Sequence, residues 1–457
     1  MKLFIEILRL IINKFILRKS NGECVHIFCT HMGLVYIKLG QILAVQNINN
    51  LFTEDDRQKL ISICDSCNTI EFKDIQKILD NEYGNNKPYK YIYKEPIGSA
   101  SVSQVHKAIL HNNDVVALKV KRNDITKTIE KDLAQIKFCV KHFGKLLHIE
   151  NLIGSYKALD FYLQWIQEEI DFKHEIKNID SYTNFANKVN NKVSECKHIV
   201  LPKVYKEYCT ENIIVMEYVS YKTISELQPN KSNSNRINDA MESYIKLSFY
   251  ALFNNIGVVW HGDPHAGNIY IDNDGNVGFL DMGLIFELTL EEQNQTLEYF
   301  FCAYFGDYVK LFELLEPYIQ EQSDKKEKFR GACKIYCANI KNKPITCYFM
   351  DLVWVCLEYN INPPDFLYGM AKAFICLFGM DTVYNHTKTG KEVIEKQVIE
   401  YIIRTTANKG KRYIKLLEEL SFSLMQQDIT GIANNIYDIK VESKFITNII
   451  KNIHNII

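Results

Sequence analysis

The chain has 457 residues, of which 47% are hydrophobic, and this is enough material for two or more packed lobes. Its formal net charge of −1 excludes a global electrostatic attraction to nucleic acid or to an anionic membrane, and no nucleic-acid partner is expected. Thirteen cysteines, scattered and odd in number, do not match the even framework of a secreted disulfide protein, so an intracellular, reducing compartment is expected.

The amino-terminal segment, Met1–Lys19, is rich in Leu, Ile and Phe but is interrupted by charged side chains. No stretch of the chain reaches the roughly 18 uninterrupted apolar residues of a membrane span, so a soluble or peripherally membrane-attached protein is expected. The segment lacks a small-residue cleavage site and is poor in serine, which leaves a mitochondrial location open without a clear transit peptide. Two interpretations stand: a helix packed on the protein body, or a helix lying in a membrane interface.

Residues 1–90 predict helices, because apolar residues recur at helical spacing through Leu34–Val45 and Leu51–Ile63. From Tyr91 the pattern changes to short runs that are typical of strands. The predicted strands are Tyr91–Ile97, Val102–Ile109 and Val115–Lys121.

A helical stretch is predicted from about Asp124 to Ala186, followed by strands at Ile199–Tyr205 and Ile213–Tyr218 and a mostly helical remainder. Strands first and helices after, in one unit, predict a two-lobed α+β architecture. We expect a helical extension at 1–90, an N-lobe with a β-sheet and inserted helices at 91–219, and a helical C-lobe at 220–457.

A turn of small residues joins the first two predicted strands. Small side chains let the backbone approach a ligand closely, and successive N–H groups can face phosphate oxygens. The candidate phosphate-binding positions are Gly98, Ser99, Ala100, Ser101, Val102 and Ser103. The alternative is an ordinary small-residue hairpin, and the phosphate interpretation depends on a cationic side chain nearby.

About twenty residues after this turn, Lys119 lies in a run of apolar strand residues. Lys119 is predicted to point inward, whereas Lys121 and Arg122 are expected on the outside. An inward lysine is costly unless it meets carboxylates or phosphates. In kinase-type sites such a lysine contacts the α and β phosphates of ATP and is held by a helix glutamate.

The predicted partner of Lys119 lies in the acidic segment Glu168–Glu175. Glu175 is favoured and Glu169 is second; Glu175 and Asp171 are four positions apart, so they are expected to share one helical face. Without the lysine, a solvated acidic face would be the better interpretation. Further on, Glu217 and Val219 lie at the end of the fifth strand, where the backbone of a hinge would meet the adenine edge.

The segment His261–Asn268, followed by Asp281, carries the strongest chemical signal. Asn268 follows Asp263 by five positions and Asp281 follows Asn268 by thirteen, which is the order and spacing of kinase-type phosphoryl transfer. In that chemistry Asp263 accepts the proton of the attacking hydroxyl, while Asn268 and Asp281 hold Mg²⁺. The alternative is a loop whose Asp, Asn and Gly serve only turn geometry.

Two elements of ordinary serine/threonine protein kinases are missing. No basic residue precedes Asp263, and no Ala-Pro-Glu element follows Asp281. Instead, Leu288–Gln293 begins a predicted helix with Thr289 as its N-cap. The usual platform for peptide substrates is therefore expected to be absent or rebuilt.

These residues resemble the atypical ABC1/ADCK/UbiB protein-kinase-like family over about residues 30 to 290. The ordered set is specific, although no single member of it would be. The matching motifs are the alanine-containing loop Gly98–Ala108, the Lys-x-Gly-Gln helix at Lys38–Gln41, the Glu-x-Asp motif at Glu169–Asp171, and His261–Asn268 with Asp281. The resemblance implies a protein-kinase-like two-lobed fold.

The resemblance further implies that the Lys-x-Gly-Gln helix lies across the active cleft and blocks the place where a peptide would dock. Lys38 and Gln41 would then enter the site, with Glu169 and Asp171 as their polar partners. Two features depart from the family pattern: Met282 follows Asp281 where phenylalanine is usual, and no Ser-x-Arg follows Gln41. The first departure keeps the metal ligand.

We therefore expect an atypical kinase or ATPase that uses ATP or ADP with Mg²⁺. As the resemblance implies, it would serve ubiquinone or other isoprenoid-lipid metabolism. Beyond the nucleotide, a lipid-like small molecule or a membrane surface is the expected partner, and protein partners stay open. The alternatives are a phosphotransferase acting on a small molecule or on protein serine and threonine, and a pseudokinase scaffold in which nucleotide only sets the conformation, since residues alone do not establish turnover.

Overall fold

The computed structural model describes residues 2–46, 52–61, 69–100, 102–143, 156–168, 170–193, 196–227, 231–319, 323–340, 343 and 347–384. The predictions for Ser101 and Glu169 fall outside these residues, as does the side chain of Gln41. Within the described residues, no helix is long and apolar enough to span a bilayer.

The described amino-terminal part is helical, as predicted. Its α-helices are α1 (Lys2–Ile11), α2 (Asn21–Met32), α3 (Leu34–Gln46), α4 (Glu54–Ile61) and α5 (Phe72–Tyr83). After α1 the chain continues as a π-helical segment, Ile12–Ile16. Ser20 begins α2 in a capping box with Glu23. Gly40 lets α3 approach α2 closely, because a Cβ at this position would lie 2.8 Å from Sγ of Cys29.

An antiparallel sheet of four strands forms the N-lobe, in the order β1-β2-β3-β5. The strands along this part of the chain are β1 (Tyr89–Ser99), β2 (Ser103–Leu110), β3 (Val115–Lys121), β4 (Ile199–Val200) and β5 (Ile213–Glu217). One face packs Leu118 and Val120 against Ile75 and Leu79 of α5. The three early strands and the strand at 213–217 are thus confirmed.

The helical stretch predicted at 124–186 is divided into α6 (Ile125–Phe143), α7 (Tyr156–Glu168) and α8 (Phe172–Asn190). A cap begins α8: Oδ1 of Asp171 accepts the N–H groups of Lys173 and His174 at 3.0 and 3.1 Å. The expectation that Asp171 and Glu175 share a helix face is therefore wrong, because Asp171 precedes the helix and serves as its N-cap.

The C-lobe combines short strands with packed helices. It contains α9 (Lys231–Phe253), β6 (Val258–His261), β7 (Ile269–Ile271), β8 (Val277–Phe279), β9 (Ile285–Leu288), α10 (Leu290–Phe305), α11 (Tyr308–Leu315), α12 (Ser323–Ile340), α13 (Tyr348–Glu358) and α14 (Asp365–Tyr384). Its core contains many aromatic side chains, with Trp260 packed against Phe249 and Phe374. Thr289 caps α10 in a capping box with Glu292, as predicted.

The strand predicted at Ile199–Tyr205 is only partly correct. Only Ile199–Val200 is a strand, and it pairs in parallel with β8 of the C-lobe instead of joining the N-lobe sheet. Pro202 interrupts the run because it has no N–H to donate. Beyond it, Val204 makes a single bridge to Met216.

Candidate active site

Three strand ends of the C-lobe bring the predicted catalytic residues together. β6 ends at His261, two residues before Asp263; β7 begins directly after Asn268; and Asp281 comes two residues after the end of β8. Because β7 pairs with β8, Asn268 and Asp281 are neighbours in space. The turn interpretation of this segment is therefore incomplete, since its polar residues converge on one place.

Lys119 of β3 lies between two carboxylates. Its Nζ donates to Oε1 and Oε2 of Glu175 at 2.6 and 2.8 Å, and to Oδ2 of Asp281 at 2.9 Å. Glu175 belongs to the first turn of α8 and Asp281 to the C-lobe loop, so one ammonium group joins both lobes. The side chains of Lys119 and Glu175 are 7% and 2% exposed, whereas that of Asp281 is 48% exposed. The cluster is thus closed behind Glu175 and open at Asp281.

Attraction between the Lys119 ammonium and the two carboxylates offsets the cost of burying these charges. Burial acts to lower the pKa of Lys119, but Asp281 and Glu175 outweigh it and raise that pKa above its usual range. Burial raises the pKa of Glu175, and the ammonium of Lys119 opposes that rise. Burial would also raise the pKa of Asp281, but Lys119 and the N–H of Gly283, which donates to Oδ1 at 2.8 Å, lower it to about 2. Asp281 therefore carries its negative charge at neutral pH.

His261 connects the loop that carries Asp263 to the loop that carries Asp281. Its Nε2 lies 2.8 Å from the carbonyl of Asp281, and its Nδ1 accepts the N–H of Asp263 at 3.0 Å. This pattern requires a neutral ring that carries its proton on Nε2. Burial lowers the pKa of His261 to about 4, which agrees with the neutral form. The histidine therefore sets the spacing between the two loops and does not itself point at a ligand.

Asn268 is held by the backbone on both sides of its amide. Oδ1 accepts the N–H groups of Leu280 and Asp281 at 3.1 and 2.6 Å, and Nδ2 donates to the carbonyl of Asp281 at 3.0 Å. Both lone pairs of the amide oxygen are thus used. To act as a metal ligand, Asn268 would have to exchange one of these hydrogen bonds. In the described part of the chain, no three His, Cys, Asp or Glu side chains form a group that could hold a metal by themselves.

The small-residue turn is braced by Arg122, a contact that the sequence prediction missed. Nε of Arg122 donates to the carbonyl of Ala100 at 3.0 Å, and Nη2 donates to Oγ of Ser99 at 2.8 Å. The expectation that Arg122 and Lys121 lie outside is therefore wrong. Lys121 is buried, with its ammonium 4.8 Å from the ring centre of Phe172. Residues two apart on a strand share a face, so Lys121 follows Lys119 inward.

The other predicted nucleotide positions differ in their exposure. Glu217 ends β5 with an exposed side chain whose Oε2 accepts the N–H of Lys203 at 3.2 Å. Val219 lies two residues beyond it, and Gly98 stands opposite Val105 in the β1–β2 pair. Ser103, at the start of β2, is fully buried. Any contact between Ser103 and a ligand would therefore have to involve its backbone.

Helix α3, which carries Lys38, packs beside the turn and the inserted helices. Val35 and Tyr36 share an apolar cluster with Val102 of the turn, and the Tyr36 hydroxyl donates to Oε1 of Gln135 in α6 at 3.3 Å. Lys38 itself is partly buried. Asp171, its expected partner, is exposed and serves as the cap of α8.

A second lysine, Lys372, was also missed in the sequence prediction and reaches the Asp263 loop from α14. Nζ of Lys372 lies 3.6 Å from Oδ1 of Asp263, and the two side chains are 26% and 34% exposed. Glycines allow the close packing that this contact needs. A Cβ on Gly369 would lie 2.6 Å from the Phe286 ring, and a Cβ on Gly262 would lie 2.7 Å from the same ring. Phe286 is thus held between the two backbones, and α14 packs close to Asp263.

Comparison with known proteins gives a consistent assignment. A profile described as "ABC1 atypical kinase-like domain" matches residues 62–315. The Arabidopsis thaliana protein ACTIVITY OF BC1 COMPLEX KINASE 7, chloroplastic, is 28% identical over 312 residues, covering 65% of this chain and 41% of that protein. Probable protein kinase UbiB of Shewanella pealeana is 26% identical over 338 residues, covering 72% of this chain and 59% of that protein.

The chain therefore spans about 41% and 59% of the lengths of these two relatives. Among solved structures, Rv3197 of Mycobacterium tuberculosis, in complex with erythromycin, superimposes with a TM-score of 0.41 at 19% identity. That alignment covers 64% of this chain and 72% of the other. The assignment rests on the profile match and on the two-lobed α+β architecture.

Proposed function

Because this chain belongs to the ABC1 atypical kinase-like family, we propose that it binds ATP or ADP with Mg²⁺ and acts as an atypical kinase or ATPase. One observation carries the proposal: Lys119 is buried between Glu175 and Asp281, and of these three side chains only that of Asp281 is about half exposed. Such a pair suits a metal-bound nucleotide, because the lysine can contact phosphate oxygens while the half-exposed carboxylate of Asp281 binds the metal cation.

The proposed nucleotide site extends from the turn to the hinge. Lys119 and the backbone of Gly98–Ser103 would hold phosphate oxygens, and Arg122 would keep the turn in place through Ala100 and Ser99. The backbones of Glu217 and Val219 would meet the adenine edge. Each of these described residues lies on or within three positions of β1, β2, β3 or β5.

The proposed metal position centres on Asp281. Mg²⁺ prefers oxygen ligands in octahedral geometry and usually binds through one or two carboxylates together with substrate phosphates. Asp281 fits because its carboxylate is ionised and half exposed. Asn268 fits as a second ligand only after one of its backbone hydrogen bonds is exchanged. Bound Mg²⁺ would neutralise part of the negative charge of the nucleotide phosphates.

Asp263 would position the attacking hydroxyl or water and accept its proton. Its carboxylate is partly exposed, and the ammonium of Lys372 lies 3.6 Å from its Oδ1. The loop that carries Asp263 is held by His261, whose Nδ1 accepts the backbone N–H of Asp263. A hydroxyl group on a lipid-like small molecule is the substrate we favour, with ubiquinone or another isoprenoid as the metabolic context carried over from the family resemblance.

Two further functions are kept because they share these residues. A phosphotransferase acting on a small molecule or on protein serine and threonine would use Asp263 and Asp281 in the same way. A pseudokinase scaffold would bind nucleotide without turning it over. Substitution of Lys38 and Gln41 should change nucleotide binding or hydrolysis only if α3 acts at the cleft. Phosphate release, measured with and without isoprenoid phenols or membranes, distinguishes an enzyme from a scaffold that binds nucleotide without hydrolysing it.

Thermal denaturation with and without Mg-ATP tests the proposal. A ligand at ~100 times its dissociation constant stabilises the folded chain by about 2.7 kcal/mol, which is readily seen as a shift in Tm. Asp281→Asn should lose most of this shift, whereas Asp160→Asn, a matched change at an aspartate of α7, should keep it. Equal shifts in both variants, or no shift in the wild-type chain, would count against the metal and nucleotide assignments.

A further inference from the structure

The catalytic segment of the C-lobe carries negative charge and no permanent cation. From His261 to Asp281 the sequence contains four aspartates and neither lysine nor arginine. During phosphoryl transfer, negative charge spreads over the three outer oxygens of the transferred group, and positive charge beside these oxygens lowers the barrier. Protein cations that serve this reaction must therefore come from other parts of the chain.

Two lysines from distant parts of the chain bring positive charge to this segment. Nζ of Lys119 lies 2.9 Å from Oδ2 of Asp281, and Nζ of Lys372 lies 3.6 Å from Oδ1 of Asp263. The two aspartates have different proposed roles, because Asp281 would hold the metal whereas Asp263 would accept the proton of the attacking group. Lys372 therefore lies on the side of the site where the terminal phosphoryl group would be transferred.

Packing holds Lys372 beside Asp263. Its helix lies close to Phe286 because Gly369 has no Cβ, which would otherwise lie 2.6 Å from that ring. Trp165 of α7 provides a second contact, since its ring centre lies 5.9 Å from Nζ of Lys372, within the range of a cation–π interaction. Trp165 is itself buried and packs on Phe286. The ammonium group is thus placed before a ligand binds, as electrostatic stabilisation of a transition state requires.

A ligand can reach this ammonium group. The side chains of Lys372 and Asp263 are 26% and 34% exposed, and their separation of 3.6 Å is longer than a hydrogen bond between nitrogen and oxygen. We propose that Lys372 is a further catalytic residue, which donates a hydrogen bond to an outer oxygen of the terminal phosphoryl group during its transfer. This inference rests on the proposed function and adds to it the side chain that stabilises the transferred group.

The step balances without a proton from the lysine. The oxygen of the acceptor hydroxyl or water forms a bond to the terminal phosphorus, while the bond from that phosphorus to the β–γ bridging oxygen breaks. The electron pair of the broken bond stays on ADP, and Asp263 takes the proton of the acceptor. Lys372 stays protonated throughout, and its hydrogen bond strengthens as negative charge collects on the outer oxygens. Lys372 should therefore stabilise the transition state more than it stabilises bound ADP or ATP.

Displacement of a fluorescent ADP analogue by Mg-ADP, with and without aluminium fluoride, tests the proposal on the full chain. Aluminium fluoride beside ADP mimics the transferred phosphoryl group, so the wild-type chain should bind ADP more tightly in its presence. Lys372→Met keeps the apolar stem and should weaken binding of the fluoride complex about tenfold while the Kd for ADP alone stays unchanged. Lys372→Arg should bind the fluoride complex as wild type does. The matched control is Lys310→Met, because Lys310 is 28% exposed and lies 3.7 Å from a carboxylate oxygen of Glu313.

Three outcomes would overturn the proposal. If the wild-type chain and Lys372→Met bind the fluoride complex equally well, Lys372 does not contact the transferred group, although ADP binding by both would leave the proposed nucleotide site intact. If Lys372→Met loses affinity for ADP alone to the same extent, the lysine serves the packing of α14 and not the reaction. If the wild-type chain does not bind ADP at all, the proposed function itself fails, and the role of Lys372 fails with it.

Discussion

Acidification should destabilise the C-lobe through His261. This imidazole is 1% exposed and both of its ring nitrogens are engaged in the neutral form, and burial lowers its pKa from 6.5 to about 4. Because the folded-state pKa is the lower one, the unfolded chain binds more protons between the two values. The stabilisation is therefore present above about pH 6.5 and is lost as the pH falls towards 4. At about 1.4 kcal/mol per tenfold change in proton affinity, lowering the pH from 7 to 5 removes about 2 kcal/mol.

Urea denaturation followed by tryptophan fluorescence measures this loss. The three tryptophans, Trp165, Trp260 and Trp354, all pack in the C-lobe core, so their signal reports the lobe that contains His261. His261→Gln should be less stable at pH 7 but should lose about 2 kcal/mol less than wild type on going to pH 5. His111→Gln, in the exposed β2–β3 turn, controls for removing an imidazole from the surface. If the wild-type chain and His261→Gln lose the same free energy of unfolding between these two pH values, His261 is not the group whose protonation destabilises the fold.

Three further changes have defined outcomes. Lys372→Ala should lower the turnover rate about tenfold and shift the pH profile of turnover, while the Kd for nucleotide stays unchanged. Lys372→Arg should restore the turnover rate. An unchanged pH profile in Lys372→Ala would show that Lys372 has no role at Asp263. Gly369→Ala should lower the free energy of unfolding by roughly 1–3 kcal/mol, because the added Cβ would lie 2.6 Å from a carbon of the Phe286 ring. Gly331→Ala is the control and should be neutral or stabilising, because no atom lies within 4 Å of its added Cβ. Equal effects of the two changes would show that packing at Gly369 is not tight. Thr289→Ala should cost about 1 kcal/mol in urea denaturation and Thr289→Ser much less, and equal losses would exclude the capping contribution.

The parts of the site that the sequence predicted are those with local signals. Lys119 stands alone in an apolar strand run, and a buried charge of this kind requires a partner, which made Glu175 a reasonable choice from the sequence alone. Asp263, Asn268 and Asp281 are tied to strand ends, and their spacing alone predicts that they converge. Local capping chemistry likewise predicted the start of α10 at Thr289.

The parts that were missed depend on strand parity and tertiary packing. Lys121 could have been placed inward by counting two positions from Lys119. The break before α8 also had a signal, because Asp171 followed by an apolar residue is a good N-cap. Lys372 had none: it lies more than one hundred positions after Asp263 and reaches it only because Gly369 lets α14 pack closely on Phe286. Contacts of this kind are set by tertiary packing, which residue patterns do not encode.

The packing of the amino-terminal helix is a similar case. From the sequence, a helix packed on the body and an interfacial helix were alternatives, and the structure shows the helix attached to the body. The polar side of the helix, with Glu6 and Asn13, attaches to the body, while the side that carries Phe15 and Ile16 faces outward. The pattern of apolar residues predicts an amphipathic helix but not which side meets the protein.

A crystal structure of the chain grown with Mn²⁺ and a non-hydrolysable ATP analogue would show whether Lys119 and Asp281 form the nucleotide and metal site. We expect an anomalous manganese peak about 2 Å from a carboxylate oxygen of Asp281, with the analogue's phosphates within hydrogen-bond distance of Nζ of Lys119. An ordered nucleotide away from Lys119, or manganese bound elsewhere and not to Asp281, would rule out this site.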